Sequence, residues 1–116
     1  VNMDLINSAA PRSLELKRII SESPNMDQYE MNGYINELFD IWDNALNDVW
    51  KQLNDALPED ERKILLDDEL AWIDFKDSEA EKAAGWYSGA ASDGAYTMTC
   101  ANITEQRVYE LVERYK

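Results

Sequence analysis

Ten carboxylates between Glu59 and Glu81 are the densest set of reactive side chains in the sequence, with Asp67, Asp68 and Glu69 consecutive and Asp74 and Asp77 close behind. Carboxylates so crowded suit two kinds of chemistry: oxygen ligation of Ca²⁺ or Mg²⁺, and paired general acid–base work. The first wants a loop that wraps the ion, and no calcium-loop spacing occurs here. The second is offered by any acidic helix, so a solvated helix face is the simpler reading. Other routes to catalysis close on composition. The chain has no histidine, which excludes Ser-His-Asp and Cys-His nucleophiles, His-based zinc sites and Glu-x-x-His di-iron sites. Its single cysteine, Cys100, excludes an intrachain disulfide and any CxxC centre. No catalytic, metal-binding or cofactor-binding residue is expected, and no cofactor.

The spacing of other polar residues points to structural contacts. Trp72 and Lys76 stand one helical turn apart, which allows a cation–π contact. Arg107 suits bidentate pairing with a carboxylate, and Asp77 or Glu69 can supply it. We expect Trp72 to be a largely buried core aromatic, Asp77 to pair with Arg107 or to cap a neighbouring polar group across the hairpin, and Cys100 to be a small buried hydrophobe. The formal charge of −13, from 24 acidic and 11 basic side chains, repels nucleic-acid phosphates and attracts cationic proteins. No apolar run approaches the ~20 residues of a membrane span, so no membrane insertion is expected.

These groups need elements to hold them, and the sequence predicts an all-α bundle. With 45% hydrophobic residues, four Trp and six Tyr, a core is feasible, and the scarcity of Gly and Pro favours long helices. Residues 1–24 read as an irregular lead with Pro11 followed by a short helix capped by Ser13; residues 25–116 read as the main helical part of what is overall a single domain. A long helix is predicted from Asp27 to Leu57, because Met31, Ile35, Leu38, Trp42, Ala45, Val49 and Leu53 advance by three or four. Pro58 separates it from a second helix running to about Tyr87 through Leu65, Leu66, Trp72, Ile73 and Ala80. The short junction predicts an antiparallel hairpin. The stretch Ser88–Tyr96, with Gly89 and Gly94 among small polar residues, reads as a loop, and a final helix follows to Tyr115. Asn102-Ile103-Thr104 matches a glycosylation sequon but falls inside that helix.

The order Asp43-x-x-Leu46-Asn47-x-x-Trp50-x-x-Leu53, Leu57-Pro58, Trp72-Ile73-x-Phe75-Lys76-Asp77 and Cys100-x-x-x-Thr104-x-Gln106-Arg107-x-x-Glu110-Leu111 resembles the lysozyme inhibitor LprI-like family of small bacterial exported domains. The resemblance spans roughly residues 31–115. The chain differs from the family in having Glu69-Leu70 where Gln-Arg is usual, and Lys76 where Arg is usual. It has Tyr34 and Ala80 where the customary partners of Cys100 stand, which implies an unpaired thiol.

The resemblance implies an inhibitor that binds lysozyme or a related cationic peptidoglycan-cleaving enzyme, is not itself an enzyme, and works in the periplasm or outside the cell. No signal peptide is visible, and the start at Val1 leaves open whether an export signal has been removed. The alternatives are a periplasmic immunity or adaptor protein for another cationic protein, and an acidic interaction domain of a cell-envelope assembly. The expected contact lies on the Ser88–Tyr96 loop with its neighbouring aromatics: Trp86, Tyr87, Ser92, Asp93 and Tyr96.

Overall fold

The computed structural model describes residues 1–116 and contains four helices: α1 (Asp4–Glu22), α2 (Gln28–Ala56), α3 (Glu59–Ala84) and α4 (Gly89–Arg114). There are no strands, and the molecule measures 50 × 29 × 16 Å. α2 is the spine, with α1 along one side and α4 along another, while α3 packs on α4. The α2–α3 hairpin is therefore splayed, and α4 packs against both of its arms.

Local chemistry explains the α2 boundaries. The Asp27 side chain accepts from the Glu30 backbone N–H at 2.8 Å, capping the helix start. At the other end Leu57 is extended, as a residue before proline prefers. Pro58 opens α3, where Glu59, Asp60 and Glu61 fill the first turn and complement the helix dipole.

The centre of the core is Trp42. Its indole is fully buried, its Nε1–H donates to Ser13 Oγ at 2.9 Å, and its ring lies 5.6 Å from that of Tyr109. One side chain of α2 thus touches both α1 and α4. Leu16, Leu38, Val49, Val108 and Leu111 surround it, all fully buried.

Two sequence expectations are corrected here. Residues 1–12 are not an irregular lead: α1 begins at Asp4 and runs through Pro11. Proline removes one backbone donor, yet Ile6, Ala9, Ser13 and Leu16 recur by three and four and are all buried. That burial outweighs the ~3 kcal/mol penalty of an interior proline. Residues 88–96 are likewise not a loop, since α4 starts at Gly89. Gly89 takes a positive φ of 59°, which suits glycine and lets the chain turn directly from α3 into α4.

Gly94 serves close approach, inside α4. A Cβ there would collide with Asn32 Oδ1 and lie 2.8 Å from Gln28 Nε2. Asn32 in turn donates to the Ala90 carbonyl at 2.9 Å, fastening the start of α4 to the start of α2.

Two glycines with opposite surroundings make a test. Gly33 lies within α2 with open space where its Cβ would be, so Gly33→Ala is expected to stabilise by about 0.5–1 kcal/mol through helix propensity. Gly94→Ala displaces the Asn32 amide and is expected to forfeit that gain and lower the melting temperature. Thermal melts of both variants check the pair.

Candidate protein-binding surface

The polar side chains singled out from the sequence gather at the α3–α4 seam and at the turn joining these helices. Arg107, on the inner face of α4, is only 3% exposed. Its Nε donates to Glu69 Oε1 at 2.9 Å, its Nη2 to Asp68 Oδ2 at 2.9 Å and its Nη1 to Glu110 Oε1 at 3.2 Å. Asp68 Oδ2 also accepts from Arg114 Nη1 at 3.0 Å. Hydrogen bonds from Arg107 and then Arg114 hold the Asp68 carboxyl below its ordinary range. The same carboxylate raises the Arg114 guanidinium.

The expected Asp77–Arg107 pair does not form. Glu69, the other carboxylate considered, takes that role, because positions 65, 69, 72, 76 and 80 face α4 whereas position 77 is rotated away from that line. Asp77 instead lies 3.9 Å from Lys76 Nζ. The parts of Asp68 and Arg114 were not foreseen. The signal was present, since Arg107, Glu110 and Arg114 advance by three and four and so share a face.

Trp72 lies beside this network. The guanidinium carbon of Arg107 is 5.7 Å from the Trp72 ring centre and Lys76 Nζ is 5.2 Å from it, so two cations meet one indole. Trp72 is partly buried and packs against the edge of the core, while the fully enclosed indole is Trp42. The seam is polar and open at its edge, whereas the α1–α2–α4 interior is mainly apolar. Cys100 is buried and unpaired, and burial pushes its thiol pKa up. Burial, and then Asp77, does the same to the Tyr96 hydroxyl.

The five residues expected to form one contact loop are divided. Trp86 and Tyr87, in the turn, are 86% and 60% exposed. Ser92, Asp93 and Tyr96 belong to the opening turns of α4. The Ser92 hydroxyl donates at 3.0 Å to the Ala84 carbonyl, which also accepts from the Tyr87 N–H at 3.1 Å, and so ties the start of α4 to the end of α3. Asp93 is exposed and Tyr96 half-buried. The exposed tip consists of the two aromatics.

With Asp68 and Glu69 paired internally, Glu59, Asp60, Glu61, Asp67, Asp74 and Glu81 are the α3 carboxylates that make no ion pair. No group of three acidic or cysteine side chains converges on a point that could hold a metal ion. No helix is long and apolar enough to cross a membrane. The arrangement offers a protein partner an acidic flank and an aromatic tip.

Among protein families, the model described as Lysozyme inhibitor LprI matches residues 20–111. No curated protein and no solved structure matches the chain.

Two outcomes test the seam. Arg107→Ala leaves Glu69 buried without its counter-charge and is expected to destabilise by roughly 3–5 kcal/mol in chemical denaturation. The depressed Asp68 pKa gives a pH signature. A carboxyl whose folded pKa lies below its unfolded value stabilises the protein above the unfolded value, and that stability is lost as pH falls through the folded one. The stability gap between wild type and Asp68→Asn should therefore be present at pH 7 and close as pH falls below the ordinary value of 3.8. Urea midpoints measured across that range follow it.

Proposed function

The chain belongs to the LprI lysozyme inhibitor family, matched over most of its length, and from that premise we propose that it binds and blocks a cationic lysozyme or related peptidoglycan-cleaving enzyme. It acts by contact and is not itself an enzyme. The site of action is the periplasm or the cell exterior, where such enzymes meet their substrate.

The family match carries this reading, and two physical features support it. A net charge of −13 steers a cationic enzyme toward the inhibitor and raises the encounter rate. The Trp86–Tyr87 tip supplies large, rigid apolar area of the type that anchors interfaces. Both rings project from a turn fixed by Gly89 and by the Ser92–Ala84 hydrogen bond, so they are presented together. An enzyme that cleaves a polysaccharide has an open cleft, and an aromatic tip seated in it would exclude substrate. Asp93, one turn into α4 and exposed, can pair with a basic residue at the rim.

Titrating lysozymes of several types against the protein is the direct experiment. Inhibition is expected at low salt and should weaken as the Debye length shortens to about 8 Å at physiological ionic strength. Trp86→Ala with Tyr87→Ala is expected to abolish inhibition while leaving the melting temperature unchanged, because neither ring is packed in the core. Absence of binding at low salt to every lysozyme tried would overturn the inhibitor reading. Unchanged inhibition by the double variant would remove the tip from the contact.

A further inference from the structure

We propose that the outer face of α3 is a second docking surface, which takes a helical segment apolar on one side and basic on the other, supplied by a cationic protein partner. The inference does not depend on the inhibitor reading, and the surface lies on a different part of the molecule from the Trp86–Tyr87 tip.

The motivating observation is an imbalance among the helices. α3 has one substantial packing neighbour, α4, yet it exposes five large apolar side chains, more than any other helix. Three of them, Leu66, Leu70 and Ile73, are 46%, 55% and 37% exposed. They succeed one another by four and three residues, and so line one stripe about 10 Å long. The sequence reading placed Leu66 and Ile73 with the core-facing residues; the structure turns them outward, because Leu65, Glu69 and Ala80 take the buried line. Scattered exposed leucines are ordinary on a protein surface, but a contiguous helical stripe matches the spacing by which helices dock into grooves.

The stripe begins in a depression. At the Leu57–Pro58 corner, Trp50 and Asn54 of α2 face Glu59, Arg62, Lys63 and Leu66 of α3 around a cavity of about 340 Å³. The hollow arises because the hairpin arms pack on α4 and little on each other. An occupant would set an apolar side chain against Trp50 and Leu66, then follow α3 past Leu70 and Ile73.

Charge decides what that occupant is. Asp67, Asp74 and Asp77 border the stripe, and Asp67 and Asp74 make no ion pair. Arg62 and Lys63 stand at the corner end, and Lys76 meets Asp77 at the other end, which leaves Asp67 and Asp74 as the free acids beside the stripe. A partner segment would place its basic residues beside Asp67 and Asp74. A second copy of this chain fits badly: joining two α3 faces brings two rows of aspartates together on molecules each carrying −13, and like charges across an interface oppose association.

The test uses the whole protein and a synthetic helix with leucine on one face and lysine on the other, monitored by methyl NMR and Trp emission. Binding should shift the Leu66, Leu70 and Ile73 methyl signals and alter Trp50 emission. A peptide of the same pattern with glutamate in place of lysine should not bind. Leu70→Ser with Ile73→Ser should weaken binding by about tenfold or more, whereas Leu14→Ser, at an exposed leucine of α1, should leave it unchanged. Should the double variant melt early, Leu70→Ser alone, at the most exposed of the three positions, carries the comparison. No methyl shifts, equal binding of the glutamate peptide, shifts confined to the Trp86–Tyr87 end, or a dimer of the protein itself through this face would each overturn the proposal.

Discussion

The buried ion pair between Arg107 and Glu69 is the constraint on which the position of α3 depends. A guanidinium 3% exposed is stable only where its donors are met, and Glu69, Asp68 and Glu110 meet them together. That requirement fixes which face of α3 turns toward α4 and at what height along it. Apolar packing alone would hold α3 loosely, because Leu65 and Ala80 are its only buried aliphatic residues. Directional hydrogen bonds supply the register that apolar contact does not. Trp72 closes over the same guanidinium, so ion pairs and the indole act as one unit.

That unit divides the charge of the protein. Glu69 inside the seam and Asp68 at its edge are engaged by arginines, while the carboxylates that remain unpaired lie outward. The external field is then a product of the fold as well as of composition. It is the outward acids, with the turn aromatics, that support the reading of a protein that captures basic partners.

The sequence was most legible where one apolar face repeats without interruption. The limits of α2 follow from Asp27, the run from Ile35 to Leu53, and Pro58; all three act locally, so their effects do not need the rest of the fold. The misreadings share a different cause. Pro11 and Ser13 signal a break and a helix start, but Trp42 Nε1 binds the Ser13 hydroxyl and makes it part of the core. The Gly, Ala and Ser residues between 88 and 94 carry the composition of a loop, yet Gly94 is small because α2 passes close by. Choosing Glu69 over Asp77 as partner for Arg107 required the rotation of α3 about its axis. Leu66 and Ile73 were misplaced for the same reason. In each case a contact with another helix, absent from the local pattern, overrode it. Of the expected contact residues, Trp86 and Tyr87, read from the sequence as the end of the second helix, stand exposed in the turn after Ala84, whereas Ser92, Asp93 and Tyr96 were drawn into the start of α4.

The solitary thiol has a consequence for the lifetime of the protein. Cys100 is enclosed between α3 and α4, and burial favours its protonated form. Oxidants and disulfides react chiefly with accessible thiolate, and this site offers neither access nor charge. A protein with one surface cysteine would form covalent dimers or mixed disulfides in an oxidising medium. Here the fold shields the sulfur, so resistance to oxidative ageing is tied to conformational integrity. Only molecules that have already opened the α3–α4 seam would be marked by irreversible chemistry at this thiol.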